Sequence, residues 1–276
     1  ENPSTPTAPS ATGLNAVAIG SGAVALGQDA IAMGAGANAS TISSLAIGIL
    51  SKSSGNRSFS GPYSYAFGAD SFAAAISSNA STYGATGANS VAIGFHAKAS
   101  GVFSTSVGYG TQSTSGNSMS FGRSSVASGD SSLALGFGAA ASGERSVAIG
   151  NSAKATTYGK MAYAAADFGS SSLYSQMGTY VLLVQSTDAT PSVLTSTRFS
   201  PSFDNQVILP NNSAYAFHGT IVARQQASGG TACAAWKVEG LIRREGSAGT
   251  TVLVNSATTI LDNTPAWGMA LSADTT

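Results

Sequence analysis

Residues 89–150, NSVAIGFHAKASGVFSTSVGYGTQSTSGNSMSFGRSSVASGDSSLALGFGAAASGERSVAIG, repeat one short phrase at a fixed step. Val91-Ala-Ile-Gly94, Ser106-Val-Gly108, Met119-Ser-Phe-Gly122, Leu133-Ala-Leu-Gly136 and Val147-Ala-Ile-Gly150 close on glycines fourteen residues apart. A weaker phrase keeps the same step between them, at Ala99-Ser-Gly101, Ser113-Thr-Ser115, Ala127-Ser-Gly129 and Ala141-Ser-Gly143. Each fourteen-residue unit thus holds two short extended pieces and two turns.

A period this short indicates a solenoid. Val147 and Ile149 are large with the small Ala148 between them, which is the alternation of a strand and not the stripe of a helix. On that pattern each unit offers about two good apolar side chains to a core, at roughly 1.5–3 kcal/mol each. They fall short of the cost of ordering fourteen residues at roughly 1–2 kcal/mol apiece. Stacking supplies the difference, since neighbouring coils, about 4.8 Å apart, satisfy the backbone and cover the apolar row. The glycines suit turns that need positive φ.

Working outward, the repeat starts at Val17-Ala-Ile-Gly20, Val24-Ala-Leu-Gly27 and Ile31-Ala-Met-Gly34, at steps of seven, and continues at Leu45-Ala-Ile-Gly48. The half-step means that one coil contains two equivalent strands. Tyr65-Ala-Phe-Gly68 then ends twenty residues beyond Gly48, and Gly94 lies twenty-six further on, so the rhythm slips there. The irregular piece Ser51 to Tyr65 carries Lys52, Arg57, Phe59, Tyr63 and Tyr65, a dense set of long side chains for this chain. Read as an insertion emerging on the solenoid surface, it is a candidate contact loop. The alternative is a tolerated loop that binds nothing.

Before the repeat, residues 1–12 carry Pro3, Pro6 and Pro9 among small polar residues and are expected to form an extended arm. The chain has no initiator Met, no signal-peptide pattern and no apolar run near eighteen residues, which suggests a fragment of a longer polypeptide without a membrane span.

Ser90-Val-Ala-Ile-Gly94 and Ser146-Val-Ala-Ile-Gly150, with the fourteen-residue step, resemble the head repeats of trimeric autotransporter adhesins, the YadA-like heads, over about residues 14–155. The resemblance implies a left-handed parallel β-roll with three chains side by side. A roll with so thin an interior has little core of its own, and packing three on one axis would supply the missing burial. The family pattern of neck, coiled-coil stalk and anchor does not follow, because no heptad repeat appears after Ala155.

Residues 156–178 form an expected transition, and from 179 the pattern turns to ordinary antiparallel strands. Short strands are expected at Tyr180 to Gln185, Gln206 to Leu209 and Thr250 to Val254, with a last one at Trp267 to Leu271. Ala214 to Arg224 places Tyr215, Phe217 and Ile221 on one face, and Ala234 to Arg244 places Trp236, Val238 and Ile242 opposite Lys237, Glu239 and Arg243. With turns at Ser228 to Gly230 and Gly246 to Gly249, residues 179–276 predict a small antiparallel β-sandwich, incomplete at its C-terminus. This tail resembles a domain near the C-termini of many phage tail-fibre and appendage proteins. The residues that carry the likeness are Val207 to Ala214, Ile221 to Arg224, Gly240 to Arg243 and Trp267 to Thr275. The fold class expected for the whole chain is therefore all-β, a solenoid of 14-residue coils followed by the sandwich, assembled as a homotrimer.

Composition bounds the chemistry. Charged residues make up 9% of the chain and the net charge is zero, so no basic patch exists to neutralise phosphates and nucleic acid is not an expected partner. Disorder is the bland alternative for a chain rich in small residues, but 43% hydrophobic content in strict register opposes it. Cys233 stands alone and is read as a small packed strand residue. His96 and His218 lie in different domains, which leaves a zinc site or a His-dependent triad without support, and His96 is read as a surface turn residue. The Gly-x-Gly pairs lack the third glycine of a phosphate loop. Asp29, Asp70 and Asp130 are too scattered for calcium-binding repeats, and nothing pairs Glu144 or Asp167 for glycan cleavage. A flat ice-binding face would need a Thr ladder, and Thr105 has no Thr at 91, 119, 133 or 147. No catalysis, cofactor or metal is expected.

Three classes remain. The favoured one is a structural and adhesive segment of a phage tail fibre or virion appendage, with other virion proteins and a bacterial surface glycan or protein as partners, and avidity from three copies. A bacterial trimeric adhesin head on the cell surface is the alternative. A polysaccharide-degrading tailspike would need carboxylates clustered between subunits.

Overall fold

The computed structural model describes residues 7–77, 82–165, 176–188, 190–226, 229, 231–263 and 265–275. Residues 1–6 of the arm, 166–175 of the transition with Asp167, and Ser228 and Gly230 of the expected turn lie outside the described residues. Two compact units divide the chain, Glu1–Gln206 and Val207–Thr276, a later boundary than the 179 expected from sequence.

The first unit is a parallel β-solenoid. A narrow ladder stacks eleven two-residue strands from Ser10–Ala11 to Lys154–Ala155. A wide ladder runs from Val17–Ile19 to Met161–Ala164 and is closed by one antiparallel strand, Met177–Thr179. The fourteen-residue step is the ladder register itself, with Val91 beside Thr105 and Thr105 beside Met119.

The side chains inside are not the large ones expected. In every parallel wide strand after the first the central small residue is buried, as at Ala32, Ala92, Ser106, Ala134 and Ala148, and in the first Ala18 is partly buried. Its larger neighbours face outward, with Met33, Leu135 and Met161 about two-fifths exposed. The expectation that Val147 and Ile149 fill the core is therefore corrected: they lie on the outer face around Ala148. The cause is geometric. Two strands joined by two tight turns enclose a space one small side chain deep, and a branched residue pointing inward would overpack it.

Turn chemistry completes each coil. Ser58, Ser71, Ser90 and Ser118, each just before a wide strand, are buried and donate their hydroxyls at 2.6 Å to the carbonyl three residues back. The glycines that close the wide strands adopt positive φ, +129° at Gly108 and +113° at Gly122. A Cβ on Gly108 would also collide with the Gly122 carbonyl oxygen of the next coil. Conformation and inter-coil closeness both demand glycine there. Positive φ is not confined to glycine, because Asn15, Asp29, Asn89 and Asn117 take φ of 53–57° in the turns before wide strands.

The slip in rhythm is resolved by the ladders. Tyr65-Ala-Phe-Gly68 belongs to the narrow ladder, in line with Val24-Ala-Leu-Gly27, since Tyr65 pairs with Lys52 thirteen residues earlier. Ser51 to Tyr65 is therefore no insertion: it is a regular coil with one residue fewer. The extra length falls in the next coil, where Phe72 pairs with Val91 nineteen residues on, and it lies between Ala74 and Gly84.

In the second unit three long strands, Ser213–Arg224, Cys233–Arg244 and Val252–Asn263, form one antiparallel sheet in that order. The expected alternation holds: Ala234, Trp236 and Val238 are buried while Lys237 and Glu239 are exposed. Gly240 makes room for the Phe217 ring opposite, which a Cβ would strike. The described residues of this unit contain no second sheet, so the sandwich is corrected to a single three-stranded sheet. Trp267 to Leu271 and Gln206 to Leu209 are not strands, and Tyr180 to Gln185 contributes one isolated bridge, Leu183 to Thr195. The third strand runs past its expected end at Val254 through exposed residues, the adjacent Ile260 and Leu261 among them, where hydrophobic alternation gives no signal.

Two outcomes follow from this packing. Gly108→Ala will lower the unfolding free energy of the solenoid by at least about 2 kcal/mol, read by urea denaturation, because strain and collision add. Lys160, in the last coil, occupies a column otherwise filled by small residues such as Ser132 and Ser146, is buried, and burial pushes its ammonium down to about 8. The unfolded chain then binds the extra proton between that value and the ordinary lysine range, so stability rises with pH across this window and is lowest below it. The melting temperature will climb from pH 8 to pH 10, and Lys160→Met will raise it at pH 7 and abolish the climb.

Candidate adhesive surfaces

The outer face of the wide ladder carries two parallel columns. One holds Val17, Ile31, Leu45, Phe59, Phe72, Val91, Thr105, Met119, Leu133, Val147 and Met161, in register from coil to coil. The other includes Ile19, Met33 and Ile47, then Ile93, Val107, Phe121, Leu135, Ile149 and Tyr163. Met33 and Ile47 are 39% exposed and Leu135 42%, while Val91, Ile93, Val107 and Ile149 are half-buried, so the large side chains that the interior rejects form an apolar face along the solenoid, interrupted in the second column where Ala74 precedes Ile93. Apolar exposure of this kind makes the wide-ladder face a candidate interaction surface.

The five candidate contact residues encircle one coil and its neighbour and do not form one loop. Lys52 and Tyr65 sit on adjacent narrow strands with the ammonium 4.9 Å from the ring centroid, and Tyr65 is buried. Phe59 belongs to the apolar face and stacks on Phe72 at 4.9 Å. Arg57, in the turn before Phe59, grips Asp70 of the next coil through two hydrogen bonds of 2.7 Å. That hydrogen bonding, with the attraction of opposite charges, raises the Arg57 guanidinium and holds the Asp70 carboxyl below the usual carboxylate range. Tyr63 lies in the opposite turn and is 44% exposed.

A second feature was not singled out from sequence. The residue following each repeat glycine forms its own column, in which Phe95 stacks on Tyr109 at 5.1 Å and Arg123 lies 5.5 Å from Tyr109 and 5.4 Å from Phe137. His96 stacks on Tyr83 at 4.2 Å, at a turn as expected. The signal was available as a fourteen-residue spacing of 95, 109, 123 and 137. Cys233 opens its strand but is exposed, not packed as expected. Among the described residues no group of three or more His, Cys, Asp or Glu could hold a metal ion, and no helix is long and apolar enough to cross a membrane.

Comparison with known families bears on this geometry. The YadA head domain repeat matches residues 11–37, 85–111, 113–139 and 141–159. All four spans lie in the solenoid, and the irregular coils between 38 and 84 fall outside them. No curated protein matches the chain.

Proposed function

We propose, from the YadA head domain repeats that this chain carries, that it is the stiff adhesive head of a homotrimeric surface appendage without catalytic activity of its own. The observation that carries this is the pair of apolar columns on the wide ladder. An interior of Ala and Ser buries little per coil, whereas Val, Ile, Leu, Met and Phe outside would bury far more against a second and third copy. A trimer would leave the turn edges and the opposite ladder facing outward, repeated three times around the axis, and would turn weak single contacts with a bacterial surface glycan or protein into firm attachment.

The likeness of Val207 to Ala214 and Trp267 to Thr275 to tail-fibre C-terminal domains favours a phage tail fibre or other virion appendage, attached to further virion proteins. The head repeats by themselves favour a second reading, the head of a bacterial trimeric adhesin at the cell surface.

Light scattering on a size-exclusion column decides the assembly. A mass of three times the 27.2 kDa of one chain is expected. Leu135→Asp, in the middle of the apolar face, will reduce it to one chain. A folded wild-type monomer would end the trimeric reading.

A further inference from the structure

The end coil of the solenoid holds a cleft of about 560 Å³, within the size range of small-molecule sites. Turn residues Glu144, Arg145 and Tyr158 form one wall, and the returning segment 197–205 forms the other. The Tyr158 N–H donates to the Asp204 carbonyl at 3.0 Å, which pins this segment to the coil.

The second wall is built before any ligand arrives. Asn205 is 4% exposed, and its amide donates to the Thr197 hydroxyl at 2.9 Å and to the Ser200 carbonyl at 3.0 Å. Its side-chain oxygen accepts the Ser202 N–H at 2.8 Å. Thr195 is fully buried and donates to the Phe199 carbonyl at 3.1 Å. Held this way, the Phe199 ring is left 72% exposed, an arrangement that intramolecular packing does not explain.

The polar content selects the ligand. Arg145 is engaged by its neighbours, with its guanidinium 5.4 Å from the Tyr158 ring, donating to the Tyr158 hydroxyl and 3.6 Å from the Glu144 carboxylate. Among the residues that line the cleft, Glu144 and Asp204 are two acids against one cation, Arg145. Carboxylates accept from hydroxyl donors, Ser200 and Ser202 add hydroxyls of their own, and the exposed ring offers an apolar surface. An anionic ligand would meet excess negative charge. We infer that the cleft binds a neutral saccharide, whose hydroxyls meet Glu144 and Asp204 and whose C–H face packs on Phe199. The inference deepens the adhesive reading above by naming a ligand class and a place for it.

Saturation-transfer NMR and calorimetry on the full chain test it, with oligosaccharides of glucose, galactose, mannose and N-acetylglucosamine as probes and oligogalacturonate as the anionic comparison. At least one neutral probe is expected to bind, and both Phe199→Ala and Asp204→Asn to weaken it at least tenfold without changing the melting temperature. Phe137→Ala, outside the cleft, will leave binding unchanged. No binding by any neutral probe, preference for oligogalacturonate, or wild-type affinity in both variants overturns the inference. Whole-cell attachment is measured in parallel. Attachment without sugar binding removes the cleft and spares the adhesive reading, while sugar binding without attachment does the reverse.

Discussion

The structure depends on how little room a fourteen-residue coil encloses. Two strands closed by two tight turns leave space for one methyl or hydroxyl per strand, and this forces Ala or Ser at every inward position from Ala23 to Ala162 with few exceptions. The same closeness between coils puts the carbonyl of one repeat glycine where the Cβ of the one before would be. Repetition is therefore a steric requirement at each layer and not only a relic of duplication.

From that constraint the distribution of hydrophobicity follows. Alanine buries little apolar area, so the stability of a single coil comes mainly from its backbone ladder and its closed turns. Where the interior is hydroxylated, several groups satisfy one another: Ser106 donates to Thr111 at 2.9 Å, and Ser113 and Ser120 share a hydrogen bond of 2.8 Å, whereas the buried Ser60 and Ser104 hydroxyls have no partner among the described residues. The larger side chains have nowhere to go but out, and on the wide ladder they align because the register is exact. An apolar face on the outside is thus a consequence of the narrow inside, and it is what makes association with further copies energetically reasonable.

Much of this was legible in the sequence. Period, strand alternation and paired strands per coil were visible from Val91 to Gly150, since each coil imposes the same spacing. Direction was not, because alternation gives two faces without saying which is inside. Val147 and Ile149 look like core residues until the width of the coil is known. Tyr65-Ala-Phe-Gly68 misled for a related reason: both ladders use the same phrase, so only pairing distinguishes a half-step from an insertion. Asn205 in the cleft and Thr195 behind it gave no signal, because a buried polar residue in a non-repetitive segment is recognised only by its partners. The contact set at Lys52 to Tyr65 was chosen by density of long side chains, and density along a solenoid chain distributes residues around the coil instead of gathering them.

A parallel ladder also has to stop. An exposed last strand would present unpaired backbone groups to any other chain. Here the wide ladder ends at Met161–Ala164 under the antiparallel strand Met177–Thr179, which breaks the register that a further coil would need. Lys160 accompanies this change, its ammonium 5.9 Å from the Tyr180 ring where earlier coils carry a compact serine. A long cationic side chain in that column is incompatible with another coil of the same kind, so the cost of its burial falls where it prevents continuation. The residues that weaken the last layer are the ones that give the solenoid a defined length, and the segment that follows builds the cleft on the coil they terminate.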